Sequence, residues 1–107
     1  MPTVTASGTV TADGTVQTLT DTTANKYFTF KLDTALMDTG DTTVITIYDV
    51  VLGAGTYRVY KTETYTGAQA ESIKFMAPLW ITQKIKVTLQ QTTIGTYRNY
   101  PWALLEA

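Results

Sequence analysis

Residues Thr42 to Tyr65, TTVITIYDVVLGAGTYRVYKTETY, decide how the chain is read. Two runs dense in β-branched and aromatic residues flank Leu52-Gly53-Ala54-Gly55, and such side chains fit a pleated, half-buried surface. Gly53 and Gly55 supply the positive φ that a four- or five-residue connection needs, so the stretch predicts a β-hairpin. In Val44 to Val50 both faces carry bulk, Ile45 and Ile47 on one and Val44, Tyr48 and Val50 on the other. That predicts a strand covered on both sides or placed at a subunit contact. Tyr57 to Tyr65 returns with Tyr57, Val59 and Tyr65 alternating against Arg58, Tyr60 and Thr62.

Upstream of the hairpin, Thr3 to Ala12 alternates small apolar and hydroxylated residues, and the Asp13-Gly14 that follows is favoured in two-residue type I′ turns. A first hairpin with Thr15 to Thr20 as its returning strand is therefore predicted. The TVTA similarity within this segment is low complexity rather than a repeat. After the polar loop DTTANK (Asp21 to Lys26), Tyr27 to Asp33 alternates strictly, with Phe28, Phe30 and Leu32 on the inner face. Thr34 to Asp41 has room for one helical turn that drops Leu36 or Met37 into the core. Downstream, Thr66 to Ala70 is a turn and Glu71 to Met76 a short strand, which Pro78 ends or marks as an edge. Lys84 to Gln91 points Ile85, Val87 and Leu89 inward. Thr92 to Gly95 turns into a last strand from Thr96 that is interrupted by Pro101 and ends in Trp102, Leu104 and Leu105.

Eight short strands spaced roughly 8–12 residues apart predict one all-β domain over residues 1–107, an antiparallel sandwich of jelly-roll or immunoglobulin-like topology. A closed barrel is the second choice, and the order of strands is open. A chain of 107 residues is long enough to bury about two-thirds of its unfolded surface, so it needs no covalent staple.

Composition removes most catalytic classes. There is no cysteine and no histidine, so Ser-His-Asp triads, Cys-His pairs and Cys- or His-ligated zinc are impossible. A net charge of −1 with 16% charged residues gives no field for nucleic acid. The opening MPTVTASGTV lacks the basic and apolar regions of a signal peptide, and no apolar run approaches the roughly 18 residues of a membrane span. The expected product stays in the soluble phase of the cell that makes it, with no membrane or nucleic-acid partner and no cofactor.

Four patterns bear on chemistry. Ala35 to Val44, ALMDTGDTTV, resembles the active-site loop of retroviral-type aspartic proteases, in which two chains each contribute Asp-Thr-Gly and the paired carboxylates share a proton. That resemblance implies Asp38, Thr39 and Gly40 as catalytic loop residues, with the Gly53/Gly55 hairpin as a flap. Several departures oppose it. A charged Asp41 follows the glycine where the family has Ala or Ser, and Thr96-Tyr97 breaks the late Ile-Gly-Arg-Asn echo formed by Ile94-Gly95 and Arg98-Asn99. The flap also begins too soon after the motif. The favoured reading is a turn capped by Asp38, with Gly40 supplying backbone freedom. Gly53-Ala54-Gly55 lacks the third glycine and the helix of a phosphate-cradling loop. Asp33, Asp38 and Asp41 lack the ligand spacing of a calcium loop, so no metal site is expected. Glu63 and Glu71 read as exposed strand carboxylates rather than a glycosidase pair.

The aromatic residues leave three readings open. The first is a core built on Phe28, Phe30, Phe75 and one tryptophan. The second is a protein interface of Tyr48, Tyr57, Tyr60, Tyr65, Trp80, Tyr97, Tyr100 and Trp102, since Tyr and Trp are enriched in interfaces. The third is a carbohydrate-binding platform, for which exposed Trp80 or Trp102 would serve.

Taken over nearly its whole length, the pattern resembles small β-sandwich virion proteins of tailed phages and related viruses. The resemblance is carried by TADGTVQTLTDTTANKYFTFKLDTALMDTGDTTVITIYD, a Thr-rich start, an aromatic strand, a Leu…Gly-Asp turn and an Ile-x-Ile-Tyr strand, and by the closing YTGAQAESIKF, KIKVTLQQT and PW. It implies a non-enzymatic capsid decoration or cement protein, made in the host cytoplasm and carried in the virion. A homo-oligomer, a trimer by preference, formed through Tyr-rich strand faces and bound to the major capsid protein is further expected, with the chain ends as extended arms that could add a strand to a neighbour's sheet.

Overall fold

A computed structural model describes residues 3–23, 25–50, 56–92 and 96–106, with side chains at all of them except 77 and 78. Its strands are β1 (Thr3–Thr11), β2 (Gln17–Thr23), β3 (Lys26–Asp33), β4 (Thr42–Asp49), β5 (Arg58–Thr66), β6 (Ile73–Ile81), β7 (Lys84–Gln91) and β8 (Asn99–Glu106). They form two four-stranded antiparallel sheets, ordered β1-β8-β3-β6 and β2-β7-β4-β5.

The pairings are nested: β4 with β5, β3 with β6, β2 with β7 and β1 with β8. The whole chain is thus a long hairpin folded about the β4–β5 connection, and the β3–β8 and β4–β7 ladders close it into two layers. This is the jelly-roll arrangement, and it decides against the immunoglobulin-like alternative. Among the described residues only β4 and β5 are consecutive in both chain and sheet, so the Thr42–Tyr65 stretch is the axis about which the rest is wound. Its glycine tip, Gly53 and Gly55, lies outside the described residues, as does Ile94-Gly95.

The core lies between the sheets, where alternation delivers Phe28, Phe30 and Leu32 from β3, Ile45 and Ile47 from β4, and Ile85, Val87 and Leu89 from β7. Met76, Leu79 and Ile81 of β6 and Tyr100 and Leu104 of β8 complete it. Fully burying an aliphatic or aromatic side chain contributes about 1.5–3 kcal/mol.

Several expectations are corrected. Asp13-Gly14 does not close a hairpin: β1 pairs with β8 and β2 with β7, so the turn carries the chain from one sheet to the other. Nor is it the expected type I′ turn, which needs positive φ at both residues: Gly14 takes a φ of 85° but Asp13 has no positive φ, and Asp13 Oδ1 accepts the Thr15 amide at 2.9 Å. Those bonds to Thr15 hold the Asp13 carboxyl below its usual range. What the dipeptide cannot specify is which strand becomes the partner.

Thr34 to Asp41 forms two tight turns rather than a helical one, with Met37 N bonded to Thr34 O and Asp41 N to Asp38 O, both at 3.0 Å. Met37 enters the core and Leu36 stays outside. β6 is longer than expected and runs through Pro78 to Ile81. A proline is tolerated there because β6 is an edge strand, and the β3–β6 register shifts between Phe28 and Phe30 nearby. β8 likewise runs through Pro101, which lies one residue past the end of the β3–β8 ladder at Trp102.

Candidate interaction face

The inner residues of β3 and β6 are core, so their outer residues build a surface together. Register sets Tyr27 beside Trp80, Lys31 beside Phe75 and Asp33 beside Ile73 on the outer face of the β1-β8-β3-β6 sheet. This face is unusually apolar: Phe75 and Trp80 are each 61% exposed, Ile73 47% and Tyr27 41%. The Tyr27 and Trp80 rings pack with centroids 4.5 Å apart and planes inclined by 31°. Lys31 Nζ lies 5.4 Å from the centre of the Phe75 ring, a cation–π contact that leaves the far side of the ring open. Next to this strip, Lys31, Asp33, Ile73, Pro101 and Ala103 border a shallow groove of about 320 Å³. These four exposed residues lie at two places along the β3–β6 ladder, Trp80 with Tyr27 near one end and Phe75 with Ile73 near the other.

The other sheet presents a different exterior. A register row crosses all four of its strands as Thr18, Thr88, Thr46 and Thr62. Beside it Lys86 Nζ sits 4.7 Å from the Tyr48 ring centre and 4.5 Å from that of Tyr57, whose rings meet nearly at right angles, at 78°. The Tyr57 hydroxyl donates to the Asp21 carboxylate. That bond, with burial and the nearby negative charge behind it, raises the phenol from its ordinary value to about 12. The polar groups here engage one another.

The eight aromatic residues expected at an interface therefore do not share one surface. Trp80 belongs to the apolar strip, and the hydroxyl of Tyr60, on β5 of the other sheet, accepts the Trp80 amide at 3.4 Å. Tyr48 and Tyr57 sit on the opposite sheet. Tyr65 is half-buried against the core with Lys74 Nζ 5.2 Å from its ring centre, and burial raises its phenol. Tyr97 covers the Asp13-Gly14 turn, where a Cβ on Gly14 would stand 2.9 Å from the Tyr97 hydroxyl. Trp102 is partly buried, packed against the core and 6.3 Å from Phe30 between ring centres.

Tyr100 is the clear correction, since it is fully buried and no partner can reach it. Phe75 is the reverse correction, expected in the core and found outside. Tyr27 and Ile73, both exposed, were not among the expected interface residues. For β6 both parities carry apolar residues, Ile73 and Phe75 against Met76, so alternation alone does not choose a face.

Asp38, Thr39 and Gly40 lie at one end of the sandwich, in a turn organised by Asp41. Buried Asp41 accepts the Asp38 amide and the Arg98 Nε–H through Oδ2, both at 2.8 Å. Its own carbonyl accepts the Gly67 amide at 2.7 Å. Asp38 is exposed and its Oδ1 accepts the Thr39 amide at 2.7 Å, while Gly40 takes a φ of 89°. Behind the turn, Gln91 Oε1 accepts from the Arg98 amide at 2.9 Å and from the Tyr100 hydroxyl at 3.1 Å, and Gln91 Nε2 donates to Thr96 O at 2.8 Å. Its own proton engaged, the Tyr100 hydroxyl accepts from Thr43 Oγ1 at 2.6 Å. Burial raises the Tyr100 phenol. Among the described residues, no cluster of three or more acidic groups suits a metal ion.

Fold and surface define an eight-stranded jelly roll with one apolar outer face. Comparison with known protein families, with curated proteins and with solved structures finds no match.

Proposed function

We propose that the chain is a non-enzymatic virion structural protein, a capsid decoration or cement protein that oligomerises and binds a lattice of major capsid protein. The observation that carries the reading is the strip of Ile73, Phe75, Trp80 and Tyr27 on the outside of one sheet. A lattice presents many copies of one modest contact, and a rigid sheet face with aromatic anchors suits such repeated docking. Jelly rolls recur among viral capsid domains and also among lectins, so the fold contributes by analogy. The hydrogen bonds of the Asp38-Thr39-Gly40 turn to Asp41 and within the turn support a structural reading of that motif.

The test is co-sedimentation of the purified chain with capsids assembled from the major capsid protein of the same virus. Saturable binding that Phe75→Lys abolishes is expected, and absence of binding overturns the reading. The exposed Trp80 ring also favours a second reading, carbohydrate recognition. Tryptophan fluorescence that shifts on glycan addition, and no longer does so in Trp80→Phe, would select it.

A further inference from the structure

The sandwich has four edge strands, β1, β2, β5 and β6, and each edge offers unpaired amides and carbonyls to any extended chain. Three of them are guarded by charge or proline: Asp21 in β2, Arg58, Lys61 and Glu63 in β5, Lys74 and Pro78 in β6. β1, TVTASGTVT, has neither along its nine residues. A bulge between Val4 and Ala6 is its one guard, and the ladder is regular from Ala6 to Thr11, a run that includes Ser7.

The β1 sequence is also a near-palindrome about Ser7. Reading outward from that residue, Ala6 matches Gly8, Thr5 matches Thr9, Val4 matches Val10 and Thr3 matches Thr11. Two antiparallel strands related by a two-fold axis place residue i opposite j and j opposite i. A palindromic strand therefore meets its own copy with like residues opposed. Threonine pairs across strands are favourable, and an uncharged strand sets no like charges against each other.

We propose that β1 pairs with β1 of a second copy, antiparallel about a two-fold axis at Ser7. The two β1-β8-β3-β6 sheets then join through their β1 edges into one continuous sheet. The occupant is a second copy of this chain because only self-pairing uses the palindrome. The contact is independent of the capsid-binding reading, whose strip lies at the opposite edge of the same sheet, on β3 and β6. A dimer formed this way keeps both strips available.

Because the chain lacks cysteine, Ser7→Cys creates a unique thiol on an exposed residue. Opposed Cα atoms in an antiparallel pair lie about 4.5–5.5 Å apart, within reach of a disulfide. Mild oxidation of the full-length S7C chain is expected to give mostly covalent dimer, while Thr62→Cys, exposed on the β5 edge, stays monomeric. Sedimentation equilibrium of the unaltered chain is expected to show a dimer. Ser7→Lys, which brings two ammonium groups together at the axis, should weaken it by about tenfold or more, with circular dichroism confirming that the variant folds. A monomeric unaltered chain, equal cross-linking of S7C and T62C, or a dimer that folded S7K leaves intact would each overturn the proposal. None of these outcomes depends on whether capsids are bound.

Discussion

Two regions of this molecule invert the usual distribution of polarity, and they do so in opposite directions. At one end of the sandwich Asp41, Gln91, Thr43 and Tyr100 are buried polar side chains. On the outside of the β1-β8-β3-β6 sheet Phe75, Trp80, Ile73 and Tyr27 are exposed apolar ones. The buried set is closed: each carboxylate, amide and hydroxyl in it has a partner within the chain. The exposed set is open, because ring faces and branched side chains there remain in water. Closure is what burial of polar groups demands, and openness is what a docking face provides. The same residue type thus serves opposite ends, tyrosine being wired into the interior at position 100 and displayed at position 27.

The sharpest way to break the contrast is to open the closed region. Arg98→Met leaves the Asp41 carboxylate buried without its cation and should destabilise the fold by about 3 kcal/mol, near the lower end for broken buried pairs because Arg98 keeps some exposure. Adding Asp41→Asn to Arg98→Met should recover part of that loss, and denaturant titration of the single and double variants checks both. Tyr100→Phe keeps the ring and deletes the hydroxyl that joins Thr43 to Gln91, at a cost of about 1–2 kcal/mol in the same titration.

Tyr57→Phe removes the Asp21 bond from a more exposed site and should destabilise by about 0.5–1 kcal/mol. Its pH signature is specific. The folded chain raises the Tyr57 phenol to about 12, so the protonated form is favoured by folding. That contribution is whole below the ordinary phenol value near pH 10 and is lost as pH climbs towards 12. The stability difference between the unaltered chain and Tyr57→Phe should shrink across that window. The smallest effect is expected on the open face, where Phe75→Lys should change stability by no more than about 0.5 kcal/mol. The same substitution should abolish the proposed lattice binding, which separates display from structure.

Much of the fold was legible because strict alternation is a local signal. Phe28, Phe30 and Leu32, and again Ile85, Val87 and Leu89, point inward as their spacing requires. The β4–β5 hairpin was legible for the same reason, together with its glycines. Pairing between distant strands was not legible. Asp13-Gly14 makes a good turn, but only the packed sheets reveal that the chain crosses layers there instead of doubling back. β6 was hidden by apolar residues at both parities, which sent Phe75 to the wrong side. Tyr100 was misplaced because its burial depends on Thr43 and Gln91 from other strands. The Asp41 contact with Arg98 spans 57 positions, and no short motif encodes such a bond.

Nested pairing also imposes an order in time on the living ribosome. β1 emerges first of the described strands and β8, its one ladder partner among the described residues, emerges last. Thr11 and Asn99, which bond across that ladder, are separated by 88 positions, or roughly 4–18 s of synthesis at ordinary elongation rates. Throughout that interval the nascent chain carries an uncharged, threonine-rich segment with neither of its edges satisfied. Polysomes translating this message hold such segments side by side, so crowding of nascent chains is where premature association through β1 would begin.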